Sequence, residues 1–360
     1  MLFRSHSELG HRARYVGVER HDNRDLMRGV RQVEADDELV VLEYEPGIFW
    51  LGGLVRAMAW LRFWRRKRVL LSVHEMAPDK YPEARQIQWH LSRPLARAPW
   101  FEALKLLVCT ADVAWRFWTL RMGWLCMGWL PHRVLVHSSK GQENVRLALR
   151  LAHRANGKVR HTPLAVKQLA GSRDGLRREL GLPVDCFAFI VPGFLFRRKR
   201  IGQVIEQLPP AAELWVVGTE SEYEQGYLAE IQAALARCAH GDRVRLIHDY
   251  ERMEQYLLAA DAAVFYYAEG YQSAAASLAV GAGKPCIFAE LPAFADLVEA
   301  GLTVRTPAEL HQAMVRIQDR EVYEALRGRA LALRERLRPG HIAAQYLATG
   351  QAASSREPGG

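Results

Sequence analysis

The sequence alternates short, continuous apolar segments with helix-length amphipathic segments along most of its length. Apolar runs without polar alternation are typical of strands covered on both faces, as in parallel sheets flanked by helices. The predicted strands are Arg14–Val18, Leu39–Glu43, Val69–His74, Arg133–His137, Phe187–Pro192, Leu214–Gly218, Val244–Ile247, Ala262–Tyr266 and Pro285–Phe288. The pattern predicts an α/β protein with doubly wound parallel sheets.

The length of 360 residues suits two such domains. We predict an N-terminal domain over 1–160 and a second domain over 161–340, with the division in the polar segment 155–162. Residues 351–360 are rich in Ala, Ser, Pro and Gly and are predicted to form a disordered tail.

Charge is distributed unevenly between the two halves. Residues 1–160 carry 27 Lys and Arg against 16 Asp and Glu, whereas the remaining 200 carry 22 against 24. Nine of the ten Trp residues also precede residue 130. No segment offers the roughly 18 uncharged apolar residues of a membrane-spanning helix. Five scattered Cys residues form no CxxC pair, so we expect no disulfide framework, no zinc site and a cytoplasmic location.

One strand end carries a basic segment. The strand at 187–192 runs into Gly193, followed by Arg197, Arg198, Lys199 and Arg200. Cationic side chains between a strand end and a helix suit a bound diphosphate. A solvated basic loop is the alternative interpretation.

A second strand end leads into a helix with small side chains. The strand at 262–266 is followed by Glu269, Gly270, Gln272 and Ser273, and then by a segment rich in Ala and Gly. Small residues let an anion approach the free amide groups of a helix start. Two further strand ends carry Gly218, and His248 with Tyr250. The latter pair would face a base or ribose, or line a polar loop.

These segments, in this order, resemble the donor half of the GT-B glycosyltransferases, most closely the family-4 type (glycosyl transferases group 1). The resemblance rests on Gly193–Arg200, the strand at 214–218 and Asp261–Pro285, and covers about residues 185–300. Leu39–Pro46, Val69–Glu75, Val134–Ser139 and Pro163–Val166 are similar to family strands and to the crossover between domains. The resemblance implies two doubly wound Rossmann-like domains facing a cleft, with a helix at 341–350 returning to the first domain.

The resemblance also implies a function. A hexosyltransferase of this type would move a sugar from a nucleotide-sugar, such as a UDP- or GDP-sugar, to a lipid-linked or saccharide acceptor in polysaccharide biosynthesis. It would retain stereochemistry and need neither metal nor cofactor. The implied donor-binding residues are Gly193, Arg197, Arg198, Lys199, Gly218, His248, Tyr250, Glu269, Gly270, Gln272, Ser273 and Ser277. Lys199 and Glu269 would be catalytic together with His74 at a strand end of the first domain, and His137 is a second imidazole candidate there.

The sequence departs from the family pattern at three places. Ser277 or Leu278, depending on register, stands where the family has a second Glu, and Arg200 replaces a Gly. Residues 8–17 resemble the end of the first helix and the second strand, so the first domain is predicted to lack its first strand and helix. These departures keep open a second interpretation, a weakly active or inactive glycosyltransferase-fold partner protein.

The basic, Trp-rich half suggests a surface for a partner. Gly52–Arg68 is predicted to form an amphipathic helix with aromatic residues and a cationic end. These features are typical of helices that make peripheral contact with an anionic membrane surface, here the inner membrane face. The residues that would make this contact are Trp60, Trp64, Arg65, Arg66, Lys67 and Arg68. A buried helix with a basic C-terminus is the alternative. Nucleic-acid binding is a further alternative, without an RNP, KH or helix-turn-helix pattern to support it.

Overall fold

The computed structural model describes residues 23–34, 37–44, 51–73, 126, 129–138, 142, 145, 158–220, 224–270 and 272–351. These residues divide into two compact units. Unit 1 comprises the described residues up to Thr162 together with those from Ala344 onward, and unit 2 is Pro163–Ala343. The sequence prediction had placed these divisions at 160/161 and 340/341. The predicted strand at Arg14–Val18 and the predicted loss of a first strand and helix lie outside the described residues.

Unit 1 contains a four-stranded parallel sheet in the order β1-β2-β3-β4. Its strands are β1 (Leu39–Tyr44), β2 (Arg68–Val73), β3 (Arg133–Val136) and β4 (Val159–His161). Five consecutive residues of β2 are buried, which explains its continuous apolar sequence, because both faces of a parallel sheet are covered. Helices α1 (Asn23–Arg31) and α2 (Leu51–Ala59) belong to this unit, and α2 continues as a π-helical turn, Trp60–Trp64.

Unit 2 contains a six-stranded parallel sheet in the order β10-β9-β8-β5-β6-β7. Its strands are β5 (Phe187–Pro192), β6 (Ala212–Val217), β7 (Val244–Ile247), β8 (Ala262–Phe265), β9 (Cys286–Ala289) and β10 (Gly301–Val304). The chain builds outward from β5 to β7 and then returns to pair β8 with the other edge of β5. This reversal is a topological switch point, where open α/β sheets bind ligands.

Eight helices are described from α3 onward. They are α3 (Arg173–Glu179), α4 (Ile201–Glu206), α5 (Tyr227–Arg237), α6 (Met253–Ala259), α7 (Ala274–Gly281), α8 (Pro307–Arg316), α9 (Arg320–Arg336) and α10 (Pro339–Gln351). Helix α5 begins directly after Gly226, which has φ of 86°, a conformation that L side chains disfavour. Helix α10 begins in unit 2 and ends in unit 1.

A buried ion pair joins the amino ends of β5 and β8. Asp261 Oδ2 accepts hydrogen bonds from Ala188 N at 2.7 Å and from Arg177 at 2.8 Å. Arg177 is fully buried and also donates to the carbonyl oxygens of Ala259 and Cys186. Asp261 belongs to the segment that carries the family resemblance, but its position, opposite the switch point, makes it a structural residue.

Candidate functional site

The candidate site lies in unit 2, where β5 and β8 end side by side. Gly193 follows β5, and Tyr266 and Tyr267 follow β8. The backbone N–H of Ala268 donates to the carbonyl oxygen of Arg198 at 2.6 Å. The loop after β8 is therefore attached to the basic segment that follows β5, and the two strand ends that the sequence singled out meet at the switch point.

Two glycines allow the close packing at this edge. Gly193 has φ of 91°, and a Cβ there would lie 3.1 Å from Lys199 Nζ and 3.8 Å from Ala275 Cβ. A Cβ on Gly218 would lie 2.3 Å from the carbonyl oxygen of Gly193. Neither position accommodates a larger residue without movement of the backbone or of Lys199. The basic segment and the start of α7 can therefore approach each other closely.

Lys199 is a buried amine of the site. It is 5% exposed, and its Nζ donates to the carbonyl oxygen of Pro192 at 2.7 Å. Burial, with a smaller effect from the nearby Arg198 charge, lowers the pKa of Lys199 to about 7. Among the described residues, no carboxylate forms a salt bridge with it. An anion bound here would supply a countercharge for this amine.

The structure distinguishes the two arginines that precede Lys199. Arg197 is exposed and pairs with Glu230 at 2.6 Å and Glu224 at 3.8 Å. Arg198 is half-buried, and its guanidinium lies 5.2 Å from the Phe196 ring centroid. Arg198 also lowers the pKa of Lys199, so its charge is close to the buried amine. Arg198 is the better candidate for a second cation.

Arg200, which stands where the resembling family has Gly, adopts φ of 51° and ψ of 41°. This left-handed conformation joins the short 3₁₀ turn Arg197–Lys199 to α4. A non-glycine residue there carries a strain of about 1 kcal/mol. The Arg200 guanidinium lies 5.5 Å from the Tyr266 ring centroid, a contact that offsets part of this strain. The backbone geometry that a Gly would favour is therefore present without the Gly.

Helix α7 begins beside Gly193. The Ser273 hydroxyl caps this helix by accepting from Ala276 N at 3.2 Å, and it lies 3.4 Å from the Tyr267 hydroxyl. Burial raises the pKa of Tyr267, so its phenol is neutral and can donate. The first amide groups of α7 precede any intrahelical acceptor, and Ala275 lies against the Gly193 position.

The loop between β8 and α7 places the other predicted sugar-binding residues. Glu269 is exposed, and Gly270 packs near Tyr267 and Ala293. The Nε2 atom of Gln272 is buried and has no hydrogen-bond partner among the described residues. Ser277, one of the two positions at which the resembling family would have its second Glu, is half-buried in α7. Gln272 therefore offers an unused amide donor.

An aromatic pair extends the site along the sheet edge. Tyr250, which follows β7, and Phe194, which follows β5, stack with ring centroids 4.7 Å apart at 24°. Both rings are exposed, Phe194 by 43% and Tyr250 by 39%. His248 is also exposed. The sequence prediction included Tyr250 and His248 but missed Phe194 and Tyr267, although Phe194 directly follows the flagged Gly193.

The structure describes only one of the two imidazole candidates of the first domain. His74 lies outside the described residues. His137 is 3% exposed and lies 2.8 Å from both the Ser72 hydroxyl and the carbonyl oxygen of Thr162. It is therefore a buried, hydrogen-bonded residue of unit 1.

The basic, aromatic segment of unit 1 is only partly exposed. Trp64 is 80% exposed, and Phe63 (61%) and Trp129 (64%), both absent from the predicted contact set, are exposed as well. Trp60 is half-buried with the Arg65 guanidinium 5.4 Å from its ring, and Lys67 is buried. Arg66 is exposed, and Arg68 pairs with Glu38 at 2.8 Å. None of the helices among the described residues has both the length and the apolarity needed to span a bilayer.

The described part of the chain contains no group of three His, Cys, Asp or Glu side chains arranged to hold a metal ion. Lys199 and Arg198 supply cationic side chains at the candidate site.

Comparison with known proteins shows the fold and a family similarity of part of the chain. Residues 191–320 match the family model described as Glycosyl transferases group 1. No curated protein matches the sequence. The structure is similar to that of Anabaena Alr3699/HepE in complex with UDP, with a TM-score of 0.67 and 17% identity over 91% of this chain and 82% of that chain.

Two other solved structures show the same fold. Sucrose-phosphate synthase from Thermosynechococcus elongatus has a TM-score of 0.55 and 18% identity over 93% of this chain and 79% of that chain. An alpha,alpha-trehalose-phosphate synthase (UDP-forming) from Burkholderia vietnamiensis has a TM-score of 0.60 and 10% identity over 92% and 77%. The predicted α/β fold class is confirmed. The chain therefore has the two-domain fold of these glycosyltransferase structures, and residues 191–320 are similar to the Glycosyl transferases group 1 family.

Proposed function

We propose that the chain transfers a hexose from a nucleotide-sugar, bound at the switch point of unit 2, to a lipid-linked or saccharide acceptor. The observation that carries this proposal is the buried Lys199, which lies beside Gly193 and the start of α7; its burial lowers its pKa to about 7. A bound anion stabilises the protonated form of a buried amine whose pKa is lowered, and the amine in turn stabilises the anion. The diphosphate of a nucleotide-sugar supplies that charge.

Three groups would act on the diphosphate as it leaves the sugar. Lys199 and Arg198 offset its negative charge, and the first amides of α7 point their positive dipole ends toward an anion bound beside Gly193. Preorganised positive groups stabilise a developing negative charge in the transition state. The proposed reaction is therefore metal-independent, and, as the family resemblance implies, it retains stereochemistry at the transferred sugar.

The remaining site residues would hold the rest of the donor. The Phe194–Tyr250 pair offers an exposed aromatic surface for the nucleobase. Glu269 and the Gln272 amide would contact sugar hydroxyls, with Ser273 at the diphosphate. The similar Anabaena protein has been solved with UDP and with UDP-glucose, which favours a uridine donor for this chain.

We also propose that unit 1 meets the membrane that carries a lipid-linked acceptor. Phe63, Trp64 and Trp129 expose large aromatic surfaces beside several arginines. Exposed aromatic and cationic side chains favour the interface of an anionic bilayer. Flotation with phosphatidylcholine vesicles, with and without phosphatidylglycerol, tests this. Trp64→Ser should reduce binding to the anionic vesicles, while Leu331→Ser, an exposed position of unit 2, should not.

Thermal protection tests the donor proposal. UDP-sugars, and to a lesser extent GDP-sugars, should raise the melting temperature of the full chain in a saturable way. The absence of a carboxylate at Ser277 favours a second candidate function, that of an inactive partner subunit. Saturable protection without sugar transfer to any acceptor would support this second candidate. No protection by any nucleotide would exclude a donor site altogether.

A further inference from the structure

Tyr267, the second residue after β8, is a buried side chain of the candidate site to which the proposed function gives no role. It is 4% exposed. Its ring packs edge to face against Phe265, with centroids 6.0 Å apart, and against Phe294 at 5.3 Å. Two aromatic contacts on a buried ring leave it little room to move. The core of unit 2 therefore fixes the position of Tyr267.

The ring of Tyr267 lies close to the buried amine of Lys199. The Nζ atom is 5.9 Å from the ring centroid, within the distance at which the negative face of an aromatic ring attracts an ammonium group. The carbonyl oxygen of Pro192 accepts from the same amine at 2.7 Å. A carbonyl dipole and an aromatic face therefore both stabilise the charged form of Lys199.

The hydroxyl group of Tyr267 reaches the start of α7. Its oxygen lies 3.4 Å from Oγ of Ser273, a side chain that is itself buried. Ser273 Oγ accepts from the backbone N–H of Ala276 at 3.2 Å and so caps the helix. Burial raises the pKa of Tyr267, so the phenol keeps its hydrogen at neutral pH and can donate it to Ser273. One side chain thus contacts both an amine and a helix cap that the proposed function assigns to the diphosphate.

We propose that Tyr267 is a positioning residue for donor binding: its ring holds the charged amine of Lys199 and its hydroxyl holds Ser273, so that both face one diphosphate. Groups that are held in place before the anion arrives cost less to order when it binds. The inference rests on the proposed function for the identity of the bound group. The ring contact belongs to the free protein, so it can be tested without a donor.

The ring contact has a defined effect on the protonation of Lys199. An aromatic face attracts the ammonium form and not the neutral amine, so it holds the pKa of Lys199 above the value that burial alone would give. Arg198, a charged neighbour on the same turn, acts in the opposite direction. Tyr267, from the loop after β8, is neutral, and Pro192 of β5 does not titrate. Weakening the ring should therefore lower the pKa of Lys199 further.

NMR of the ligand-free full chain, grown with isotope-labelled lysine, tests the ring contact. The chain has eight lysines, and the signal lost in Lys199→Met is that of Lys199. Tyr267→Phe keeps the ring and the bond from Ala276 to Ser273, so it should fold and leave the pKa of Lys199 at about 7. Pentafluorophenylalanine in place of Tyr267 keeps nearly the same shape but reverses the charge distribution of the ring face. It should lower the pKa of Lys199 by about half a pH unit or more.

Lys284 is the internal control. Its buried amine donates to the carbonyl oxygens of Leu258 and Ala260 at 2.7 Å, and its pKa is lowered to about 8. These contacts precede the amino end of β8, whereas Tyr267 follows the carboxyl end, so the pKa of Lys284 should not change. An unchanged pKa of Lys199 in the fluorinated variant, or an equal fall in Tyr267→Phe, would overturn the ring contact. A parallel fall for Lys284 would show a general loosening of unit 2 and would overturn it as well.

Calorimetric titration with UDP-glucose tests the donor role. Tyr267→Phe should weaken the affinity by about 2- to 10-fold, because Ser273 loses one of its two contacts, and should not change the pH above which the affinity falls. The fluorinated variant should move that pH lower by as much as it lowers the pKa of Lys199. A loss of affinity without this move would reduce Tyr267 to a structural residue. No binding by the wild type would contradict the proposed function and with it the donor role, whereas the NMR result would still decide the ring contact.

Discussion

The ammonium nitrogen of Lys199 lies 2.7 Å from the carbonyl oxygen of Pro192, the last residue of β5. This contact holds a buried amine at the switch point, next to the space that Gly193 leaves open. A carbonyl dipole stabilises the amine less than a full negative charge would, and burial lowers its pKa to about 7. A diphosphate would restore the charge on Lys199, which makes this side chain the centre of the proposed donor site.

The first prediction concerns the side chain of Lys199 itself. Lys199→Met keeps most of the buried volume but removes the charge, so the affinity for UDP-glucose should fall by about 10- to 100-fold, as expected for a charged hydrogen bond of about 1.5–3 kcal/mol. Isothermal titration measures the loss. Arg197→Met is the matched control, because Arg197 is engaged by Glu230, and it should change the affinity little. Similar losses in both variants would contradict the assignment.

Donor binding should also take up a proton. Lys199 has a lowered pKa of about 7 in the free protein, and a bound anion raises it again. Above about pH 7, binding must therefore protonate the amine, and the affinity for a UDP-sugar should decrease as pH rises. Calorimetry in buffers of different ionisation enthalpy measures the uptake. Lys199→Met should abolish this proton uptake. Unchanged uptake in that variant would show that a group other than Lys199 takes up the proton.

The aromatic pair at the sheet edge should recognise the base. Phe194→Ala removes one ring of the stacked pair and should weaken UDP binding by the value of a base stack, about 1–3 kcal/mol. Binding of pyrophosphate, which has no base, should be unaffected. Competition of both ligands against a labelled nucleotide separates the two effects. Equal weakening of UDP and pyrophosphate would show that Phe194 acts on the phosphate site and not on the base.

The buried ion pair between Asp261 and Arg177, at the amino ends of β5 and β8, should affect the stability of the fold and not the binding of the donor. Asp261→Asn leaves the fully buried Arg177 without its countercharge and should lower the free energy of unfolding by about 3–5 kcal/mol. Replacing both residues, Asp261→Asn with Arg177→Met, should cost less than the sum of the single changes. Denaturant titration measures these values. A loss of UDP-glucose affinity in the folded single variant would contradict the separation of this pair from the site.

The sequence predicted the strands of the sheet, and the residues of the candidate site, from local patterns. Continuous apolar runs predicted β5 to β9, and the Gly193–Lys199 segment placed the basic side chains at the correct strand end. The short strand β10 was not predicted. In this strand, Gly301–Val304, only Val304 is buried and Thr303 is exposed, so the segment lacks the apolar run that marks the other strands.

The roles of individual side chains depended on contacts between residues distant in sequence. Arg197 and Arg198 are neighbours in sequence. Only the positions of Glu224, before α5, and Glu230, in α5, show which of the two arginines is already paired. The Phe194–Tyr250 stack depends on the ends of β5 and β7 lying on either side of β6. His137 became a structural residue because the sheet register aligns Ser72 with Glu43 and brings Thr162 to its ring.

The most direct test of the central claim is titration of the full chain with UDP-glucose at neutral pH, alongside Lys199→Met and Arg197→Met. The account predicts one saturable site per chain, retained in Arg197→Met and weakened by about 10- to 100-fold in Lys199→Met. Failure of the wild-type chain to bind any nucleotide-sugar, or equal binding by wild type and Lys199→Met, would contradict it.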